Sequence, residues 1–169
     1  VGEGQLASGL VGKGRMMEPN EIVENIIAFF NPTMPLKNKR ILITAGPTYE
    51  AIDPVRFISN HSSGKMGFAL ANVAIELGAE VILISGPSEE KISHPSISVI
   101  KVLSAEKMFE KVKKYYSNVD IAISAAAVSD FKPKNYKAQK IKKNQNIQSI
   151  ELSPTKDILA YMKENKKDQ

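Results

Sequence analysis

The chain has 169 residues, of which 43% are hydrophobic and 24% charged, and a formal net charge of +5. That size and mixture suit one globular domain with a short appendage. The absence of cysteine excludes a disulfide framework and thiolate metal sites and fits a reducing, cytoplasmic setting. No apolar run approaches the roughly 20 residues that span a bilayer, and no signal peptide is visible.

The chain starts at Val1 rather than Met and is expected to be a piece of a longer polypeptide. Residues 1–20 carry Gly2, Gly4, Gly9, Gly12 and Gly14 and read as a loop or flap. In Glu21–Phe30 the apolar residues Ile22, Val23, Ile26, Ile27 and Phe30 recur at helical spacing, and Pro19 suits the helix start. Asn31-Pro32 through Pro35 end that helix. They set a boundary between a first segment, 1–36, and a second domain, 37–169. Arg40–Ala45 is a short apolar run closed by Gly46-Pro47, the pattern of a buried strand. Ser62–Leu77 reads as a helix with Phe68, Leu70, Ala71, Val73, Ala74 and Leu77 on its apolar side and Gly78 as its stop. Glu80–Ser85 is a second buried strand and Ser96–Val102 a weaker third. Ser104–Tyr116 is an amphipathic helix with Ser104 as N-cap, and Asp120–Ser124 a fourth strand. Residues 125–145 are lysine-rich without a period and read as a long loop or flap. Asn146–Leu152 reads as a strand and Thr155–Lys163 as a final helix.

Strands alternating with helices predict an α/β chain: a Rossmann-like doubly wound, mainly parallel sheet with helices on both faces, and the N-terminal flap and helix appended. Ligands of such sheets bind beyond the carboxyl ends of the strands, at the switch point. The informative segments are therefore Gly46–Gly67 and Ala125–Lys143. Thr44-Ala45-Gly46-Pro47-Thr48 follows a strand as a phosphate loop does, and it serves equally as a tight turn. It is not G-x-G-x-x-G. Asn60-His61-Ser62-Ser63-Gly64-Lys65-Met66-Gly67 sets hydroxyls, glycines and a lysine at the mouth of a helix, where N–H groups and the dipole favour an anion. Met66 after Lys65 excludes a Walker A loop. Ala125-Ala126-Ala127-Val128-Ser129-Asp130 leaves bare backbone after a strand, and Asp130 suits ligand hydroxyls or a turn. Lys140-Ile141-Lys142-Lys143 is a solvated cluster or a closure over a polyanion. His61 and His94 are too far apart in sequence for a metal-ligand pattern.

In this order, the segments Ile43–Thr48, Asp53–Gly67, Ala126–Asp130 and Lys140–Lys143 resemble the motif set of bacterial phosphopantothenate–cysteine ligases. Gly9–Glu18 looks like the C-terminal substrate clamp of phosphopantothenoylcysteine decarboxylases, which bacteria fuse ahead of the ligase. The resemblance implies a ligase, unrelated to ATP-grasp enzymes, that joins 4′-phosphopantothenate to L-cysteine through an acyl-cytidylate in coenzyme A synthesis. Lys140 matches the lysine that forms the intermediate, and Asn60 the asparagine that holds it. Gly46, Ser62, Gly64, Gly67, Ser124, Ala125, Ala126, Asp130, Thr155, Asp157 and Ile158 match nucleotide positions. Arg56, Asn60 and Ala127 match substrate positions. CTP is the implied nucleotide, with Mg²⁺ bridging its phosphates and no protein side chain assigned to the metal. A homodimer is implied, with higher assembly through the decarboxylase domain, and neither nucleic acid nor membrane as partner.

Two departures bear on activity. The decarboxylases carry Ala-Cys-Gly where this chain has Ala7-Ser8-Gly9, and their FMN-binding body is missing, so decarboxylation is not expected. Ligases of this kind run on past the last helix, so a catalytically incomplete nucleotide-binding fragment stays open as an alternative. An NAD-binding module would need a glycine fingerprint after the first strand and an acidic residue closing the second, which ends in Ser85-Gly86. A nucleic-acid binder would rest on the lysine clusters alone.

Overall fold

A computed structural model describes residues 2–5, 8–30, 33–142 and 149–167. Ala7, Asn31, Pro32 and Lys143 lie outside those residues, as do the first three residues of the strand expected over Asn146–Leu152; residues 149–151 are not strand, and the strand found there is Leu152–Pro154. The chain divides into two units, Val1–Met34 and Pro35–Gln169.

In the first unit, strands β1 (Gly2–Gln5) and β2 (Val11–Arg15) form an antiparallel hairpin, with Gln5 opposite Val11. The expected structureless flap is thus a paired ribbon. Alternate glycines erase the apolar alternation that marks a strand, while the ladder needs only backbone groups. Helix α1 spans Pro19–Phe30, with proline at its first position as expected.

The second unit holds a parallel four-stranded sheet. Its strands are β3 (Arg40–Ala45), β6 (Glu80–Ser85), β7 (Ile97–Lys101) and β8 (Ile121–Ser124), in the order β7-β6-β3-β8. Ile43 lies opposite Leu83 on one side and Ile123 on the other. The two-residue strands β4 (Glu50–Ala51) and β5 (Phe57–Ile58) form a small antiparallel ladder between β3 and helix α2 (Lys65–Glu76). Helix α3 (Ala105–Tyr115) follows β7, and a 3₁₀ turn, Tyr116–Asn118, leads into β8. Strands β9 (Phe131–Pro133) and β10 (Leu152–Pro154) pair antiparallel, and α4 (Ile158–Glu164) ends the described fold. Among the described residues no helix is long and apolar enough to cross a membrane.

The central strands read as continuous apolar runs because both sheet faces are covered. Ile41, Ile43, Ala45, Val81 and Leu83 meet Phe68, Ala71 and Ala74 of α2 on one face. Leu42, Ile82 and Ile84 meet Met108 and Val112 of α3 and Ile158 and Met162 of α4 on the other. Each fully buried Ile or Leu contributes about 1.5–3 kcal/mol. Ser104 Oγ accepts from the Lys107 N–H, the expected cap of α3. Helix α2 starts at Lys65, three residues later than expected, because Gly64 has φ 82° and cannot be a helical residue. Likewise Asp157, extended, caps α4 through the Ala160 N–H, so the helix starts at Ile158 rather than at the expected Thr155.

Candidate functional site

Strand order reverses between β3 and β8, and their carboxyl ends open a crevice at that switch point. A cavity of about 600 Å³ lies there. Thr44, Ser124, Ala126, Ala127 and Asp130 form one side of it, and Thr155, Lys156, Asp157 and Ile158 another. The turn after β8 is stitched to β3. The Ala125 N–H donates to the Thr44 carbonyl at 3.2 Å and the Ala127 N–H to the Gly46 carbonyl at 2.9 Å. The Ala126 N–H donates to Thr44 Oγ1 at 3.3 Å. The alanines leave the space in front of this backbone open. A second cavity, about 790 Å³, opens beyond β6 and β7 near Phe68, Lys91 and Leu103, but none of the residues matched from sequence lines it.

Thr48, Ser129 and Thr155 tie three loops together around the crevice. Thr48 Oγ1 accepts from the Ser129 N–H at 3.0 Å, and Thr155 Oγ1 donates to the Ser129 carbonyl at 2.7 Å. The Thr155 hydroxyl therefore has only its lone pairs left for a ligand. Asp130 is exposed on the cavity wall.

Asn60 reaches the same turn from the other direction. Its side-chain amide donates to the Val128 carbonyl at 2.9 Å and lies 3.5 Å from that of Ala127. The amide oxygen is therefore held on the opposite side of the group. Gly46, Ser62, Gly64 and Gly67 gather at the start of α2, outside the wall of the 600 Å³ cavity. A Cβ on Gly67 would lie 2.5 Å from Ala45 Cβ, so glycine there lets α2 press against the end of β3. Ser88 Oγ donates to the Ser63 carbonyl at 2.6 Å, and no side chain caps the helix through Gly64. First-turn N–H groups of such a helix suit an anion.

Arg56 and Lys140 belong to a third cluster. The Arg56 guanidinium pairs with the Asp53 carboxylate through Nε and Nη2 and also donates to the Ile141 carbonyl at 2.9 Å. Asp53 is buried, at 2% exposure. Arg56, with help from the backbone N–H groups of Val55, Ile141 and Arg56 itself, holds its carboxyl well below the usual carboxylate range, against the opposing pull of burial. Lys140, next to Ile141, is exposed and not part of the cavity wall. At the cavity's edge, Glu106 accepts from Lys156 Nζ at 2.6 Å and faces Lys132 Nζ at 3.9 Å. Lys156 is the main cause of a lowered Glu106 pKa. Among the described residues no three His, Asp or Glu side chains converge as metal ligands.

Sequence reasoning missed the structural part of this site. Thr44, Thr48 and Ser129 are buried hydroxyl residues that fix the loops, and Asp53 and Glu106 hold cations in place. Thr44, Thr48, Asp53 and Ser129 all stood inside segments singled out from the sequence, but nothing in the local pattern showed that their side chains fix the loops.

Residues 36–169 match the family described as DFP, the DNA/pantothenate metabolism flavoprotein C-terminal domain. The chain belongs to that family. It is 51% identical over 170 residues to a cysteine/cysteine sulfinic acid decarboxylase of an unknown prokaryotic organism, covering 98% of this chain and 47% of that protein. It is 49% identical over 169 residues to the coenzyme A biosynthesis bifunctional protein CoaBC of Bacillus subtilis (strain 168), covering 99% of this chain and 42% of that protein. Among solved structures, the C-terminal domain of a CoaBC protein superposes with a TM-score of 0.70 at 48% identity, covering 81% of this chain and 64% of that one. The chain thus spans less than half the length of the two curated relatives. Within the DFP family, the Rossmann-like parallel sheet expected from the sequence is the fold found.

Proposed function

We propose that this DFP domain carries the nucleotide and carboxylate-activation site of a phosphopantothenate–cysteine ligase. The observation that carries the reading is the meeting of Asn60 with the 126–130 turn at the switch point, beside a cavity walled by Ser124, Ala126, Asp130, Thr155, Asp157 and Ile158. The near half-identity to a CoaBC protein, whose name assigns it to coenzyme A biosynthesis, supports it.

CTP is taken to lie in the 600 Å³ cavity with its phosphates toward Gly46, Ser62, Gly64 and Gly67. A carboxylate oxygen of 4′-phosphopantothenate attacks the α-phosphorus, the bond to the β-phosphate oxygen breaks, and pyrophosphate leaves. The cysteine amine then attacks the acyl carbon; CMP leaves and the nitrogen gives up one proton. Both steps depend on positioning and charge stabilisation. Lys140 balances charge on the reacting phosphates. Asn60 orients the acyl group with the uncharged end of its amide, next to Ala125 and Ala127. Arg56 meets the substrate phosphate with its Nη1 donors, since Nε and Nη2 are engaged. Mg²⁺ would enter with the triphosphate and neutralise part of its charge, and no protein side chain is assigned to hold it.

The same reading makes residues 1–36 the end of a preceding decarboxylase-like domain and the working protein a cytoplasmic homodimer. FMN and decarboxylation are not assigned to this chain, because Ser8 stands where that chemistry needs cysteine.

Calorimetric titration of the full-length protein with CTP and with ATP, each with Mg²⁺, tests the nucleotide. Clear CTP binding with weak ATP binding is expected, and binding of neither refutes the site. Asn60→Asp or Lys140→Gln should each cut turnover by about 100-fold or more, the scale of losing a transition-state contact; wild-type turnover in both would sink the roles given to them.

A further inference from the structure

The Asp53 carboxylate is divided between two tasks. Its Oδ1 accepts from the N–H groups of Val55 and Arg56, at 2.9 and 2.8 Å, which closes the local turn. Closing that turn needs nothing more. Oδ2 accepts from Arg56 Nε and Nη2 and, 88 residues on, from the Ile141 N–H at 3.1 Å. Arg56 Nη2 then donates to the Ile141 carbonyl at 2.9 Å, so both backbone groups of Ile141 are held by one ion pair. Four residues earlier, the Lys137 N–H donates to the Ile52 carbonyl at 3.0 Å. Lys140 lies between these two ties, in a stretch that has no helix or strand to hold it.

We propose that Asp53 is a positioning residue, whose buried carboxylate latches the Lys140 segment to the turn that leads into Asn60. The inference rests on the reading that Lys140 acts on the triphosphate. The turn runs from Asp53 through β5 to Asn60, and Asn60 is itself anchored on the Val128 carbonyl. One carboxylate therefore sets the spacing between the lysine that stabilises charge and the amide that orients the acyl group. An ionised group suits the task. Its bonds to N–H donors are about twice as strong as neutral ones, and Arg56 keeps it ionised. The latch is made of hydrogen bonds rather than packing, so the segment can release and re-form around a ligand.

The test uses the full-length protein and the variants Asp53→Asn, Lys140→Gln and their combination. Asparagine keeps the shape and removes the charge. Hydrogen exchange at the Ile141 amide should quicken by about tenfold or more, the factor expected when a charge-assisted bond is lost. Turnover should fall while the KM for CTP changes little. Lys140→Gln should then cost much less in the Asp53→Asn background than in the wild type, because the lysine is already misplaced. Unchanged exchange at Ile141 overturns the latch. Faster exchange with fully additive losses overturns the positioning and leaves a merely structural tie. A Lys140→Gln enzyme with wild-type turnover removes the role of Lys140 and with it the positioning, while exchange still decides whether the latch exists. Should Asp53→Asn fail to fold, Ile141→Pro removes the N–H from the other side and leaves the ion pair alone; the same non-additivity is expected.

Discussion

The corner where β3 meets α2 and the segment from Lys137 to Lys142 hold the two halves of the proposed site by different physics. The corner is close-packed: Gly67 lies on Ala45, and Gly86 lies on Pro47. The segment is tied by hydrogen bonds at Lys137 and Ile141 and carries mostly exposed side chains. Packing of the first kind has one arrangement and fails by clash. Ties of the second kind open locally at a cost far below that of global unfolding. The proposed nucleotide site draws on both: the corner as a fixed cradle for phosphate, and the segment as a cation-bearing part whose ties can open.

The largest effect is expected where the corner is broken outright. A Cβ on Gly86 would stand 1.7 Å from the Pro47 carbonyl oxygen, a backbone atom that cannot swing aside. Gly86→Ala should cost about 3 kcal/mol or more of stability, at the upper end for overpacking, read from the urea midpoint. Gly67→Ala is milder. Its Cβ meets Ala45 Cβ at 2.5 Å, but alanine returns about 1 kcal/mol of helix propensity. A net loss of about 1–2 kcal/mol follows, with weaker triphosphate binding because the start of α2 is pushed off the sheet. A stabilised Gly67→Ala protein would mean that the corner yields, and the contrast with the segment would lose its basis.

These two halves were also unequally legible in the sequence. Strands β3 and β6 have the expected bounds, because continuous apolar runs closed by Gly-Pro leave little choice. Ser104 announced α3. The glycines and serines near Gly64 read as a candidate anion-binding cluster, and the left-handed Gly64 moves the helix start from the expected Ser62 to Lys65. The segment side was nearly opaque. The β9–β10 ladder pairs Phe131-Lys132-Pro133 with Leu152-Ser153-Pro154, two short stretches with a proline each and no alternation. The β4–β5 ladder has two residues a side, too few to show a period. The bond from Asp53 to Ile141 joins positions 88 apart, and local patterning carries no trace of such a contact. Asp53 stood inside the matched motif, but the chain alone does not say what its carboxylate touches.

Acid separates the two halves further. The pKa of Asp53 is lowered on folding, first by Arg56, so its contribution is complete above the ordinary value of 3.8 and is lost as pH falls through the lowered folded value. Protection of the Ile141 amide should therefore stay level from neutral pH down to about 4 and then fall progressively as pH drops toward the lowered folded value. Asp120, lowered by the Arg40 N–H and then by Lys39, ties the starts of β3 and β8 and loses its contribution in the same direction. The informative quantity is exchange at Ile141 relative to Ile43 in β3. If both amides open together at every pH, the segment is not a separate opening unit.

The smallest effect is expected at Glu106, and its sign is what matters. Glu106 draws Lys156 Nζ to 2.6 Å and lies beside Lys132, while Lys156 forms part of the cavity wall and sits 5.1 Å above the Phe109 ring. Ion pairs this exposed are worth less than about 1 kcal/mol. Glu106→Gln removes the competing anion and leaves Lys156 free to turn to a phosphate. CTP should then bind tighter by a factor of about two to five, and added salt should shrink the difference. Weaker binding instead would mean that the Glu106 carboxylate aims Lys156 into the cavity, so that this edge too is held by a charged tie rather than by packing.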